Sequence, residues 1–152
     1  MSILPESITV CKNMKITQII KEYFDPLYKQ TDKTDFTVSG ITVHYLKTQR
    51  PYYGDVINKD IYKRKTFEVR ENDRNYKVGD YLVLQEYIHQ LSGNHIPACT
   101  DIDFKLCRRV VDKNGLIGLY TGREAIFIVT YVLDNARFVM PGTVILGIRE
   151  VK

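Results

Sequence analysis

Six runs of β-branched and aromatic residues, each bounded by turn-forming residues, constrain this chain more than any other feature. They are ITVHYLKT (41–48), RKTFEVR (64–70), YLVLQEYI (81–88), FKLCRRVV (104–111), LYTGREAIFIVTYVL (119–133) and TVILGIREV (143–151). Such runs are strand signals. Between the second and third, ENDRNYKVGD holds Asn72, Asp73, Asn75 and Gly79, which suit tight backbone turns. The tripeptide KNG at 113–115 reads as a hairpin turn. In RPYYGDVINKDIY, Pro51 can open a short helix, although Gly54 weakens it. Strands joined by such turns are compatible with antiparallel pairing. The expected fold is α+β, mainly β: a small β-barrel with short capping helices.

The first 40 residues have a different pattern. Ile16, Ile19, Ile20, Tyr23, Phe24 and Leu27 recur at helical spacing, so an amphipathic helix is expected from Asn13 to Phe24, with Pro26 ending it. QTDKTDFTVSG then reads as a polar loop. Residues 1–40 are therefore expected to be an N-terminal extension, and residues 41–152 one domain with a long irregular insertion at about 88–119. The opening residues MSILPESITVCKNMK contain no apolar leader core, and no uncharged apolar run approaches the ~18 residues of a membrane span. A cytoplasmic protein with no membrane contact is expected, its three cysteines reduced thiols. The net charge of +4 permits a polyanionic partner without requiring one.

The second run is unusual for a strand because Lys65, Glu68 and Arg70 fall within six residues. Alternation puts Lys65, Phe67 and Val69 on one face and Thr66, Glu68 and Arg70 on the other. Phe67 and Val69 are expected to face the core, with Glu68 and Arg70 opposite. In the third run Leu82, Leu84 and Glu86 form an apolar row ending in a carboxylate; in the first, His44 shares a face with Leu46 and Tyr45 with Lys47. Two explanations stay open. Arg70 satisfies Glu68, and Glu86 in turn, in an ion-pair network at a barrel rim, or these groups line a ligand cleft.

Other chemistry is poorly supported. His89, His95, Cys99 and Cys107 fall in one segment, but with spacings H-x5-H, H-x3-C and C-x7-C rather than paired CxxC, so no metal site is expected. No GxGxxG, P-loop, HExxH or GxSxG motif is present, and no cofactor is expected.

KTFEVR followed by NDR, VGD and YTGR resembles the ASCH superfamily, which has a PUA-like fold and the signature G-x-K-x-x-E-x-R. Lys65, Glu68 and Arg70 match that signature, while Lys63 stands at its glycine position. More closely, the chain is similar to a small uncharacterised ASCH-related family of bacteria and their phages. His44, Leu46 and Lys47; Lys65 to Glu68 and Arg70; Asn72, Asp73 and Arg74; Val78, Gly79 and Asp80; Leu84, Glu86 and Tyr87; and Tyr120 to Arg123 follow its pattern in order, from about His44 to Leu146. The resemblance implies a PUA-like barrel that binds RNA, a nucleotide or a modified nucleoside in a cleft beside the signature strand. The expected ligand contacts are Lys47, Lys65, Thr66, Glu68, Arg70, Arg74, Glu86, Tyr87, Tyr120 and Arg123. Arginine suits phosphate, tyrosine (Tyr45 among them) suits base stacking, and a carboxylate suits an exocyclic amine.

One branch of the superfamily resembles small amidohydrolases of modified nucleosides. In that alternative, Glu68 is the general base, Lys65 stabilises the oxyanion and His44 moves protons. That branch uses a threonine where Glu68 stands here, so its nucleophilic mechanism does not carry over. The third alternative is a phage-type accessory protein that acts in the host cytoplasm by binding a host protein.

Overall fold

Two residues with positive φ set the first hairpin: Ser39 (+51°) and Gly40 (+76°). Positive φ at both central positions of a two-residue loop is the type I′ turn, whose twist matches paired strands. Strands β2 (Phe36–Val38) and β3 (Ile41–Gln49) accordingly pair antiparallel, Val38 opposite Ile41. The computed structural model describes residues 2–3, 17, 34–89, 107–111, 115 and 117–152. Apart from Thr17, the helix expected over Asn13–Phe24 lies outside the described residues, as do residues 90–106 of the insertion. Strand β1 (Ser2–Ile3) pairs parallel to β2. Segments 2–3 and 36–38 thus join the sheet, and what reads as a polar loop up to Gly40 contains a strand. Three residues are too few to show alternation.

Helix α1 (Arg50–Val56) follows β3 directly, with Pro51 in its first turn, and buries Tyr53 and Val56. These residues are three apart and so lie on one helical face. Beyond it, Lys63 and Arg64 donate their N–H groups to the Asp60 carbonyl, and Lys65 donates to the Asp55 carbonyl. Those turns delay the next strand, β4, to Phe67–Glu71. Strands β5 (Tyr81–His89), β6 (Arg108–Val111), β7 (Ile117–Leu133) and β8 (Thr143–Glu150) complete the described elements. Six consecutive residues of β5, Leu82 to Tyr87, are buried, so both of its faces are covered. Gly122, at φ +89°, lets the 17 residues of β7 run on as one strand, whose start pairs with β6 and whose end pairs with β8. No helix among the described residues is long and apolar enough to cross a membrane.

The pairing order is β1-β2-β3-β5-β7-β8-β4, with β6 also on β7. This is a mainly β fold, but among the described residues β1 and β4 do not pair, so the expected closed barrel is replaced by an open sheet. Among the described residues the two edge strands are β1, paired only with β2, and β4, paired only with β8.

The chain divides into two compact units: Met1–Tyr45, Thr66–Val83 and Ile126–Lys152 in the first, Leu46–Lys65 and Leu84–Ala125 in the second. The first has a core of Phe36, Val43, Leu82, Phe127, Val144 and Leu146. The second buries Leu46, Tyr53, Val56, Leu84, Tyr87 and Leu119.

The faces of β4 are the reverse of the expected ones. Phe67 and Val69 are 45% and 51% exposed, whereas Glu68 is only 3% exposed. The register on β8 explains this. Glu68 lies opposite Leu146 and Arg70 opposite Val144, both fully buried, while Phe67 and Val69 lie opposite Gly147 and Ile145. Residues directly opposite share a face. The charged pair therefore points inward and satisfies itself there: Arg70 Nε and Nη2 lie 2.9 and 2.8 Å from Glu68 Oε2. Local hydrophobicity favoured the other orientation, but β8 already supplies a continuous apolar row on the inner face.

This inversion predicts a mutational asymmetry, measurable by urea denaturation. Val69→Ser should change stability by no more than about 0.5 kcal/mol, as exposed sites do. Arg70→Ala, which removes the guanidinium from a buried carboxylate, should cost about 3 kcal/mol. Equal effects would contradict the register.

Candidate functional site

In the first unit the ring of His44 is completely buried, and polar groups converge on it. Its Nδ1 lies 2.7 Å from Asp35 Oδ2, just before β2, and its Nε2 lies 2.8 Å from Asp80 Oδ2, just before β5. Ionised carboxylates only accept, so between two of them an imidazolium, donating from both ring nitrogens, is the form that satisfies this geometry. Asp35 Oδ1 also accepts from the Tyr45 N–H at 2.9 Å and from Arg74 Nη1 at 3.1 Å, and Arg74 Nη1 donates to the Tyr45 carbonyl as well. Asp80 Oδ2 caps the preceding turn by accepting from the Lys77 N–H. That turn is held to β7 by two backbone bonds, Gly79 N–H to Val129 C=O and Val129 N–H to Asp80 C=O. The Tyr76 ring covers the imidazole at 4.7 Å between centroids.

The cluster shifts its own ionisations. Burial works against a charged His44, but the hydrogen bonds to Asp35 and Asp80 outweigh it and hold the pKa above 6.5. Burial likewise disfavours the Asp35 anion. The bonds from His44 and the Tyr45 N–H, with the charge of Arg74, overcome this and hold its pKa below 3.8. Burial pushes the Tyr76 hydroxyl up to about 12.

The second unit is organised around Glu86, also buried. Arg123 meets it with two prongs, Nε to Oε1 at 2.8 Å and Nη2 to Oε2 at 2.9 Å. The Thr121 hydroxyl donates to Oε1 at 2.7 Å, and Arg50 Nε lies 3.8 Å from Oε2. Beside it on β5, Gln85 Nε2 donates to Glu124. By strand alternation Tyr87 points to the face opposite Glu86, and there cations meet rings. Lys47 Nζ lies 4.4 Å from the centre of the Tyr87 ring and 6.0 Å from that of Tyr120. The Arg108 guanidinium lies 4.5 Å from the Tyr120 ring, as expected for directly opposed residues of β6 and β7. The Tyr87 and Tyr120 rings meet edge to face at 5.1 Å. Gly118 makes room for this packing, since a Cβ there would collide with the Tyr87 hydroxyl.

The expected ligand contacts therefore divide between the units. Thr66, Glu68, Arg70 and Arg74 belong to the first, and Lys47, Lys65, Glu86, Tyr87, Tyr120 and Arg123 to the second. Three of the expected phosphate-binding arginines are engaged by the protein's own carboxylates: Arg70 by Glu68, Arg74 by Asp35 and Arg123 by Glu86. Thr66 is exposed, and its carbonyl accepts from the Ile148 N–H. Lys65 Nζ lies 5.2 Å from the Tyr52 ring. Tyr45 is buried against Phe36. The proton-shuttle role expected for His44 meets a ring whose two nitrogens are both engaged.

Asp35, Asp80, Thr121, Arg50 and Arg108 take part in these clusters without having been among the expected contacts. Asp80 and Thr121 stood within the VGD and YTGR segments. Asp35 carried no local signal, because its partners are 9 and 39 residues away. Among the described residues, no three His, Cys, Asp or Glu side chains gather as a metal would require, and His95 and Cys99 lie outside them.

A mainly β domain with two buried carboxylate nodes and a cation–aromatic group is the class that fold and geometry define. The chain belongs to the DUF3850 family, a domain of unknown function, whose profile matches residues 43–148. No curated protein matches it.

The His44 node predicts a pH profile. A histidine whose pKa rises on folding adds stability that is complete below about 6.5 and is lost as pH climbs through the folded value. An aspartate whose pKa falls adds stability present above about 3.8 and lost as pH drops through its folded value. Urea titrations from pH 3 to 9 should place the cluster's full contribution between about pH 4 and 6.5. Above that window stability should decline by up to about 1.4 kcal/mol per pH unit. His44→Gln should lower stability and flatten this upper limb, and an unchanged slope in that variant would exclude the imidazolium.

Proposed function

We propose that this domain is PUA-like and binds RNA or a nucleotide through the cation–aromatic group of its second unit. The observation that carries the reading is the placement of Lys47 and Arg108 against Tyr87 and Tyr120. A nucleotide presents a flat base joined to an anion, so a binding site needs a ring and a positive charge side by side. The partly exposed Tyr120 ring, with the buried Tyr87 packed edge to face against it, offers stacking surface to a base, worth roughly 1–3 kcal/mol, while guanidinium and ammonium groups meet phosphate. The net charge of +4 permits an anionic ligand.

Recognition is better supported than hydrolysis. The expected general base, Glu68, is held by Arg70, and His44 is held by two aspartates. Neither arrangement leaves the group set up for proton transfer to a substrate.

The test is fluorescence anisotropy with a labelled single-stranded RNA of about ten nucleotides, titrated over a range of salt concentrations. The Lys47→Ala/Arg108→Ala variant should bind about tenfold or more weakly. Its plot of log K against log salt should be shallower by about 0.7 for each phosphate contact removed. Wild-type affinity with an unchanged slope would refute the assignment.

A further inference from the structure

The turn of residues 58–65, between α1 and β4, carries a charge and a surface that the cation–aromatic group does not use. Its sequence, NKDIYKRK, sets four cations, Lys59, Lys63, Arg64 and Lys65, against the single carboxylate of Asp60. That is +3 within eight residues, in a chain whose net charge is +4. Asp60 fixes the backbone around it. Its N–H donates to Asn58 Oδ1 at 3.0 Å, and its own Oδ1 accepts from the Tyr62 N–H at 3.0 Å. Its carbonyl accepts from the N–H groups of Lys63 and Arg64 at 3.0 and 2.9 Å. Arg64 Nε donates to the Asn58 carbonyl at 2.6 Å, and the Lys65 N–H donates to the Asp55 carbonyl at 2.9 Å. The turn is therefore held by its own bonds, and it holds its side chains out from a fixed frame.

What it holds out is apolar as well as basic. Ile61 is 67% exposed and Tyr62 93%, and Lys59 and Lys63 on either side of them are exposed too. Apolar surface left in water adds nothing to the stability of the fold. On α1, Tyr52 is 55% exposed, with Lys65 Nζ 5.2 Å from its ring centre. Small ligands bind in concave sites that cover most of their surface. A tip that leaves Tyr62 almost wholly in solvent is convex, so it suits a partner larger than itself. The charge of the turn makes that partner a polyanion. A strand with phosphates at intervals and flat groups between them answers both the cations and the exposed ring. The cation-on-tyrosine pairing at Tyr52 also repeats that of Lys47 and Arg108 in the same unit. An anionic membrane fits less well, because Asp60 and Lys63 directly flank Ile61 and Tyr62 and would be carried toward hydrocarbon with them.

We propose that the turn of residues 58–65 is a contact for the backbone of a single-stranded nucleic acid, with Lys59 and Lys63 on phosphates and Tyr62 against the strand between them. This rests on the reading of the domain as an RNA binder and makes its ligand a polymer rather than a free nucleotide.

The test is fluorescence anisotropy over a range of salt concentrations, with a labelled single-stranded RNA of about twenty nucleotides, longer than the ~4–16 that one small β domain covers. Lys59→Ala/Lys63→Ala should bind about tenfold more weakly, and its plot of log K against log salt should be shallower by about 1.4, two contacts at about 0.7 each. Tyr62→Ala should weaken binding about fivefold or more and leave that slope unchanged. If Lys47→Ala/Arg108→Ala weakens binding while both turn variants bind as wild type does, the turn is overturned and the RNA reading stands. If the turn variants weaken binding and Lys47→Ala/Arg108→Ala does not, the turn stands and the cation–aromatic group loses its role. If wild type binds no RNA, both fall. If wild type sediments with phosphatidylserine vesicles and Ile61→Ala/Tyr62→Ala releases it with RNA affinity unchanged, the turn faces a membrane and the proposal is overturned.

Discussion

The buried imidazolium of His44 is the constraint on which the first unit is built. Two carboxylates and two cations, Asp35 and Asp80 with His44 and Arg74, come together around a ring that has no contact with solvent. Their charges sum to zero, and hydrogen bonds serve both ring nitrogens, both oxygens of Asp35 and one of Asp80. A group like this contributes little if compared with well-packed hydrophobes, but it is costly to leave incomplete. It therefore acts on specificity. It ties the approach to β2, the middle of β3 and the turn before β5 to one point, so a slip of β3 by one residue would turn His44 to the opposite face and take its partner from the buried Asp80 and from Asp35. The short β2, with only three paired residues, gains a fixed register from Asp35 that its own ladder could not impose.

The second unit applies the same rule to a different end. Glu86 is buried among a bidentate arginine, a hydroxyl and a more distant arginine, a geometry that matches the fork of the guanidinium to both carboxylate oxygens. The pairing recurs across the chain: Glu68 has Arg70, Asp35 has Arg74 and Glu86 has Arg123. These arginines are structural before they are anything else. Lys47 and Arg108 differ in lying on tyrosine faces, the arrangement on which the proposed nucleotide site rests.

The strands were largely legible because alternation and turn residues are local signals. Ile41–Thr48 and Tyr81–Ile88 were each within one residue of the observed β3 and β5, and Thr143–Val151 was one residue longer than β8. Short or contextual elements were not. β2 is too brief for a period to show, and β4 has two apolar residues on one face and an ion pair on the other. A five-residue strand taken alone places Phe67 and Val69 inside; only the register against Val144 and Leu146 reverses it. The Glu68–Arg70 pair was visible because its members are two residues apart. Glu86 to Arg123 spans 37 residues and Arg74 to Asp35 spans 39, so both arginines read as phosphate ligands. Sequence composition reports that charges exist, but pairing is a property of the folded topology.

Local preference and folded topology separate in a similar way on the outer face of β4, β8 and β7. A bulge interrupts a strand ladder, and Thr130 interrupts β7 between Val129, opposite Ile148, and Tyr131, opposite Gly147. Core packing gains nothing from moving a tyrosine from the buried side to solvent, since an inward aromatic would bury far more apolar surface. Glycine opposite it is equally unhelpful to a strand, because it weakens the ladder and packs nothing. Bulge, glycine and two outward aromatics therefore each run against local stability, yet they coincide in a single row. Departures from local preference of this kind persist only where a well-packed opposite face holds them in place.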